Sequence, residues 1–231
     1  FDKLTARNSG TDGMGRPADE WLYKNSSVGV YAATPDYTGY VTAKNNTTVK
    51  VIDSISKKFA DSNATVTVNG APSTLAAAVN VGDYVEIFMD ANDVEKVDII
   101  AITHKSVAKL TGDAATKVDG DDTLVKVPGI SGLAGYKADN TTKTVHGYDD
   151  LKKDDIVLYY ADANGEYFLE KAESFDGILT AVAGSTFTIG GTKYTVSGAT
   201  GTLAATTMDD FFKESATWYV DSNSNLVWVK G

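Results

Sequence analysis

The stretch Asp155-Ile-Val-Leu-Tyr-Tyr-Ala-Asp162-Ala-Asn-Gly-Glu-Tyr-Phe-Leu169 is an apolar run, a polar corner and a second apolar run. Two other stretches have the same form, Asp83–Val97 with a corner at Asp90 and Ser215–Val229 with a corner at Asp221. Asp, Asn and Gly accept the left-handed backbone that a tight corner requires. The three stretches therefore predict three β-hairpins with Asp-x-Asn corners. A building unit is repeated without a catalytic group, which indicates an architectural protein.

Composition excludes several classes of function. The 231 residues carry a net charge of −10, include only two arginines and no cysteine, and are 42% hydrophobic. A polyanion repels phosphate backbones, so we expect no nucleic-acid partner. The lack of cysteine excludes disulfides and thiolate metal sites. No apolar stretch reaches the ~20 residues that span a bilayer. Because the chain begins at Phe1 without a signal-peptide pattern, we interpret it as a piece of a larger protein.

The order of predicted elements indicates successive β units. Residues 1–37 are rich in Gly, Asn, Asp and Ser and are predicted to be an irregular segment packing on the first unit. The units are predicted at 38–103, at 104–175, which is the most divergent, and at 176–231. We predict a mainly β protein with two or three tandem small β-barrel or sandwich units, each with a short helix, arranged as an elongated chain.

Short helices are predicted at two places along the chain. Ser73 precedes an alanine run up to Val79 and is predicted to be the N-cap of the first helix. The second is predicted at Thr207–Lys213, with acidic residues in its first turn. Tyr148–Lys153 occupies the corresponding place in the middle unit.

An entry segment and a repeated phrase resemble a known family. The segment Thr11-Asp-Gly-Met-Gly-Arg-Pro-Ala-Asp-Glu-Trp-Leu-Tyr-Lys24, followed by Val28-Gly-Val-Tyr31, resembles a stretch of large surface proteins from clostridia-like Gram-positive bacteria. The phrase N-G…T-L…V-G-D-x-V…D-x-N-x-x-V resembles the β-rich repeat region of those proteins, which usually carry S-layer homology domains. The resemblance implies an exported, cell-wall-associated structural protein of the surface layer. It supplies no catalytic residue.

Catalytic chemistry finds little support in the sequence. The two histidines, His104 and His146, are interpreted as surface or turn residues. Gly129-Ile-Ser131-Gly-Leu133 lacks the second glycine of a nucleophile elbow. Gly129, Gly132 and Gly135 are interpreted as part of a flexible or ligand-facing loop. Adjacent acids are interpreted as solvated faces rather than a glycosidase pair; they are Asp19-Glu20, Asp121-Asp122, Asp149-Asp150, Asp154-Asp155 and Asp209-Asp210.

Calcium is the one metal that the sequence brings into question. Asp162-Ala-Asn164-Gly-Glu166, with Glu173 eleven residues after Asp162, is superficially like an EF-hand loop. The sixth position holds Tyr167 where the loop requires Gly. The hairpin interpretation is therefore preferred, and we predict no catalytic, cofactor or metal residues. Weak calcium binding by turn carboxylates stays open.

The predicted function is a non-enzymatic structural segment of a secreted, cell-wall-associated protein that acts as spacer and assembly surface. Expected partners are other copies, other surface-layer proteins and, through domains outside this segment, cell-wall polymers. The alternative is a carbohydrate- or ligand-binding adhesin module in which exposed aromatics such as Trp21, Trp218 or Trp228 stack on sugars. Exposure of these side chains separates the two hypotheses.

Overall fold

The protein is mainly β in a computed structural model. The structure describes residues 3–6, 21–25, 29–33, 35–45, 48–51, 58–60, 64–78, 80–89, 96–139 and 144–231. The chain divides into two compact units: one contains Phe1–His104 and Tyr160–Glu166, and the other contains Lys105–Tyr159 and Tyr167–Gly231. None of the described helices is long and apolar enough to cross a membrane.

The described residues of the first compact unit form two sheets. Its elements are β1 (Lys3–Ala6), β2 (Trp21–Asn25), β3 (Gly29–Ala33), β4 (Tyr37–Lys44), β5 (Thr48–Val51), β6 (Lys58–Ala60), β7 (Thr65–Val68), β8 (Ala71–Ser73), α1 (Leu75–Ala78), β9 (Tyr84–Met89) and β10 (Val97–Thr103). Strands β1, β2 and β3 form one antiparallel sheet, and the other has the order β6-β5-β4-β9-β10-β7-β8. Within the described residues, the segment 1–37 that was predicted to be irregular thus contains the strands β1, β2 and β3.

Alternation along the strands builds the core of the seven-stranded sheet. Val85 and Ile87 on β9 point to one face and pack with Ile100 and Ile102 of β10. Glu86, on the opposite face of β9, is also buried. Both faces of this strand are therefore covered, whereas alternation alone requires only one.

The second compact unit has three sheets in the part that the structure describes. Its elements are β11 (Ser106–Lys109), β12 (Ala115–Asp119), β13 (Asp122–Lys126), β14 (Lys137–Asp139), β15 (Val145–His146), β16 (Ile156–Ala161), β17 (Tyr167–Lys171), β18 (Glu173–Ala183), β19 (Thr186–Ile189), β20 (Thr192–Thr195), α2 (Ala205–Asp209), β21 (Ser215–Val220) and β22 (Leu226–Lys230). The sheet orders are β11-β16-β17-β15, β12-β13-β14 and β20-β19-β18-β21-β22. The last two residues of β16 belong to the first compact unit.

One pattern of strand neighbours occurs in three parts of the chain. Strand β4 pairs antiparallel with β9, which pairs with β10, and β10 runs parallel to β7. The order β11, β16, β17, β15 repeats this pattern, again with a parallel last pair. In the third part β18, β21 and β22 are neighbours, and Val196 forms a parallel bridge to Leu226. Ser197 also donates to the Leu226 carbonyl at 2.8 Å. This bridge joins the chain just after β20 to β22.

A turn with a positive φ precedes each of the three equivalent strands β9, β16 and β21. Gly82 donates its N–H to the Val41 carbonyl at 2.7 Å, and Asp154 donates to Leu110 at 2.9 Å. In the third part Lys213 donates to Leu179 at 2.9 Å. The donors have φ values of 95°, 71° and 65°. The accepting residues are all buried. The repetition read from the sequence therefore extends to backbone hydrogen bonds.

The helices differ from their predicted positions. Ser73 is the last residue of β8, where it pairs with Val66, so the prediction that it is the N-cap of α1 is wrong. Helix α2 begins at Ala205, two residues before the predicted start, and its N-cap Ala204 provides no side-chain hydrogen bond. Residues 148–153 form turns. The described residues of the middle predicted unit therefore contain no helix, and backbone turns occupy the place where it was predicted.

Candidate functional site

The second hairpin corner is held by a carboxylate. Oδ1 of Asp162 accepts hydrogen bonds from the backbone N–H groups of Asn164 and Glu166, at 2.8 and 3.0 Å. The Asp162 N–H donates to the Glu166 carbonyl at 2.9 Å, and Gly165 takes a φ of 80°. This carboxylate therefore stabilises the turn itself.

The third corner repeats the same set of bonds. Oδ1 of Asp221 accepts from the N–H groups of Asn223 and Asn225, both at 2.9 Å, and the Asp221 N–H donates to the Asn225 carbonyl at 2.9 Å. Ser224, with a φ of 58°, occupies the place of the glycine in the second corner. The first corner, at Asp90, lies outside the described residues.

The EF-hand comparison fails on geometry. Glu173, which would close a calcium loop, lies on β18 opposite Val220. No group of three or more His, Asp or Glu side chains suited to a metal occurs in the described part of the chain. Weak calcium binding elsewhere stays a prediction.

His104 pairs with a buried carboxylate. Its Nδ1 lies 2.6 Å from Oδ1 of Asp83, whose Oδ2 accepts the Asn80 N–H at 2.9 Å. The Asn69 side chain bonds both the N–H and the carbonyl of His104, each at 3.0 Å. The interpretation as a surface histidine is therefore wrong, because the ring is mostly enclosed beside Asp83.

The same arrangement in the middle part indicates a structural role for this pair. Oδ2 of Asp155 accepts the Lys152 N–H at 2.8 Å, and the Lys171 ammonium lies 3.0 Å from Oδ1. Lys171 ends β17 just as His104 follows β10. His104 after β10 and Lys171 at the end of β17 thus contact the turn carboxylate in equivalent places of the two parts. Ser131, considered above as a nucleophile, belongs to the other compact unit from His104.

His146 also has a packing role. It lies on β15, where its ring stacks on Phe168 with centroids 4.6 Å apart and planes inclined by 6°. This histidine is therefore part of a strand rather than of a turn.

A buried lysine lies within the second compact unit. Lys105 is only 7% exposed, and its Nζ lies 2.7 Å from Oε2 of Glu170, which is 27% exposed. Burial raises the pKa of Asp221, while hydrogen bonds from Asn225, Ser197 and Asn223 and the charge of Lys105 lower it. The Lys105 carbonyl also accepts the Thr200 N–H at 3.1 Å.

The backbone near Lys105 joins two parts of the second compact unit. Ser106 forms a parallel bridge with Thr200, and Val107 donates to the Thr200 carbonyl at 2.7 Å. Val107 packs in a cluster with Ile156, Leu158, Ala172 and Val227. We call the contacts of residues 105–107 with Thr200 and Gly201 the junction. It joins the strand that opens the middle part to the loop after β20.

Of the three tryptophans on which the binding alternative depends, the structure describes the side chains of Trp218 and Trp228, and neither is exposed. Trp218 is fully buried, and its indole N–H donates to the Gly177 carbonyl at 3.1 Å. Trp228 is half-buried beside the cluster that contains Val107. The Trp21 side chain lies outside what the structure describes.

An exposed aromatic that sequence reasoning missed is Tyr136. It is 38% exposed, and the Nζ atoms of Lys117 and Lys126 lie 4.4 and 5.0 Å from its ring centroid. We call these three residues the basic-aromatic patch. The signal in the sequence was weak, since the two lysines lie on different strands and Tyr136 follows a glycine-rich loop.

That glycine-rich loop is fixed by packing. Ile130 and Leu133 are buried in the core cluster that contains Val127. Gly129 has a φ of 106°, and a Cβ there would lie 2.9 Å from the Lys109 carbonyl oxygen. The interpretation as a flexible linker is therefore wrong.

The carboxylate pairs are spread over separate turns. Asp121-Asp122 and Asp149-Asp150 are exposed, as is Asp209-Asp210 at the end of α2. Asp155 holds its own turn, and Asp154 lies 3.4 Å from the Lys109 ammonium. Asp19-Glu20 falls outside the described residues.

Comparison with known proteins finds few similarities. No family model matches the chain, and no curated protein matches it. One solved structure is described as a multidomain protein with nucleic acid binding domains from Streptococcus pneumoniae TIGR4. It is 10% identical over 82% of this chain and 70% of that chain, at a TM-score of 0.17. At that TM-score the similarity carries no argument about fold or function.

Proposed function

We propose that this chain is a non-enzymatic structural segment of a bacterial cell-surface protein of the S-layer type, acting as spacer and assembly surface. The observation that carries the proposal is the junction. A spacer has to keep its length under load, which requires neighbouring domains to be fixed to one another. Backbone hydrogen bonds of Thr200 with Val107 and Lys105, with Val107 and Val227 in a shared apolar cluster, supply that fixation.

The corner carboxylates support the same function. Asp162 and Asp221 both use Oδ1 to bind two backbone N–H groups. Carboxylates that hold turns in equivalent positions of a repeated unit are architectural. The histidine beside Asp83 fits this view, since Lys171 occupies the equivalent place beside Asp155.

The repeated strand order supports tandem small β-barrels. In the third part the Val196–Leu226 bridge joins β22 to the chain just after β20, at the two ends of the order β20-β19-β18-β21-β22, and this bridge supports a closed barrel. We propose that the other two parts are variants of this barrel and that the three follow one another in the sequence. Units of this size are marginally stable alone, so contacts between neighbouring units contribute to their stability.

Mechanical unfolding tests the spacer function. In single-molecule pulling, we expect the middle part, which begins with β11, and the third part, which contains Thr200, to unfold in one step. The backbone bonds at Thr200 link these two segments. A Thr200→Pro variant removes the N–H that Lys105 accepts and should split that step into two. Independent unfolding of the two segments in the unmodified chain would contradict the proposal.

Cell-surface placement has a separate test. Antibodies against the chain should label intact cells of the source bacterium without permeabilisation. Labelling that requires lysis of the cells would overturn the placement, whatever the pulling experiment shows.

The alternative function is a saccharide-binding module. Burial of Trp218 removes one of the aromatic side chains on which that hypothesis depended. The exposure of Tyr136 between two lysines is the specific observation that favours it.

A further inference from the structure

We propose that the basic-aromatic patch of Tyr136, Lys117 and Lys126 binds an acidic saccharide chain whose sugar rings carry carboxylates. The inference does not depend on the spacer function, because a patch of this kind could serve any protein of the same fold.

Strand register places the patch on the outer face of the sheet β12-β13-β14. Ala115 is opposite Lys126, and Lys117 is opposite Leu124, so both lysines point to the same face. Val125 is fully buried and points to the other face, which is therefore the core side.

Tyr136 lies on this outer face as well. Lys137 is paired with Val125, so its neighbour Tyr136 alternates to the side of Lys126. The two distances from lysine nitrogens to the ring confirm this placement. Lys137 belongs to the opposite face and lies over the Tyr167 ring, 5.8 Å from its centroid.

The positive charge of the patch favours binding of an anion. Two ammonium groups share one exposed aromatic ring, and such a cation–ring contact contributes only about 0.5–1 kcal/mol at an exposed site. Within the part of the chain that the structure describes, neither lysine forms an ion pair. The like charges repel each other, and a carboxylate between them would relieve that repulsion.

The ring selects a saccharide among anions. A tyrosine ring offers an apolar surface to the C–H groups of a sugar. A sugar on Tyr136 would displace an ammonium group from the ring, and that contact contributes little at an exposed site. A carboxylate on that sugar would then lie within reach of Lys117 and Lys126. The combination of stacking and charge fits an acidic sugar better than an inorganic anion.

The rest of the chain argues against nucleic acid. DNA carries one charge per ~1.7 Å of its axis, and a protein with a net charge of −10 repels such a dense polyanion beyond the local patch.

Two acidic residues near the patch determine the direction in which a bound acidic chain extends from Tyr136. Asp119 and Asp122 are paired at the tip of the same hairpin and are exposed on the patch face, two positions along β12 from Lys117. An acidic chain would therefore extend from Tyr136 away from the hairpin tip. Removing these carboxylates should strengthen binding.

Calorimetric titration of the whole chain with an oligogalacturonate tests the proposal. Tyr136→Ala and the double change Lys117→Gln with Lys126→Gln should each weaken binding at least about tenfold. Asp119→Asn with Asp122→Asn should tighten it. Lys193→Gln, which removes an exposed lysine of β20, is the matched control and should leave affinity unchanged.

Ligand controls separate the other possible occupants. The methyl-esterified oligogalacturonate should bind at least about tenfold more weakly, because it lacks the charge. Tighter binding of an oligothymidylate, or concentration-dependent self-association that the lysine double change abolishes, would overturn the proposal. So would the absence of oligogalacturonate binding, or an equal loss in the Lys193→Gln control. Circular dichroism of each variant shows whether the fold is kept.

Discussion

The Lys105 ammonium lies 2.7 Å from the Glu170 carboxylate although the lysine is almost wholly buried. The two partners are unequally enclosed, since Glu170 keeps about a quarter of its surface in water. A buried charge that loses its partner is costly, whereas a carboxylate that reaches solvent can be hydrated. The stability of this pair should therefore depend on which partner is removed.

Glu170→Gln should destabilise the second compact unit by about 1–3 kcal/mol, because it leaves the Lys105 charge buried beside a neutral acceptor. Lys105→Met should cost less, since the remaining carboxylate is partly solvated. Urea unfolding followed by tryptophan fluorescence measures both, because Trp218 and Trp228 lie in this unit. Equal losses for the two variants would contradict the unequal burial.

The exposed pair Lys109 and Asp154 supplies the control. Its atoms are 3.4 Å apart and both side chains are well exposed. Lys109→Gln should change the unfolding free energy by no more than about 1 kcal/mol.

Close packing at the junction makes a second prediction. Gly201 has a φ of +84°, and a Cβ there would lie 2.6 Å from the Val107 carbonyl oxygen. Gly201→Ala should therefore lower the stability of the second compact unit in two ways. It strains the backbone at residue 201, and its Cβ displaces β11 from the loop after β20.

Gly191 provides a matched comparison for that variant. It has nearly the same φ, +83°, but open space around the position of a Cβ. Gly191→Ala should cost about 1–2 kcal/mol from backbone strain alone. The excess loss in Gly201→Ala, measured by thermal unfolding, reports the junction contact. Equal losses of stability in the two variants would mean that the close approach of Gly201 to Val107 does not contribute to stability.

The sequence predicted the strands better than the ends of the helices. Apolar alternation fixes which residues of β21 face a core, and Asp-x-Asn marks the corners after Ala161 and Val220. The position of Ser73 illustrates the failure. A serine before alanines is a good N-cap locally, but pairing of β8 with β7 takes Ser73 into a strand.

Sites that depend on distant residues were beyond the sequence. Lys105 and Glu170 are 65 positions apart, and nothing local marks either one as a partner of the other. The ring of Tyr136 meets lysines from two strands whose register depends on the hairpin between them. The corner carboxylates were accessible because Asp162 and Asp221 bind atoms two and four residues away.

The corner bonds lead to a third prediction. Asp162→Ala and Asp221→Ala each remove an oxygen that accepts two N–H groups and should cost about 1–2 kcal/mol. Asp→Asn at either position keeps an acceptor oxygen and should restore most of that loss. The rate of hydrogen exchange at the backbone amides of Asn164 and Asn223 reports whether each corner's hydrogen bonds are kept. Faster exchange in the alanine variants with protection kept in the asparagine variants is the expected result. Unchanged protection in all four variants would show that the side chains do not hold the corners.

Titration of Asp221 supplies the last prediction. Burial raises its pKa above the usual 3.8, so the folded chain holds this proton more firmly than the unfolded chain does. The stabilising contribution is fully present below pH 3.8 and is lost as the pH rises through the folded pKa. The unfolding free energy of the unmodified chain, relative to Asp221→Asn, should therefore fall as the pH rises across that window. Because the Lys105 charge lowers this pKa, Lys105→Met should move the Asp221 midpoint upward in a carbon-13 carboxyl titration. A midpoint at or below 3.8 in the unmodified chain, or a downward shift in Lys105→Met, would contradict burial as the dominant cause.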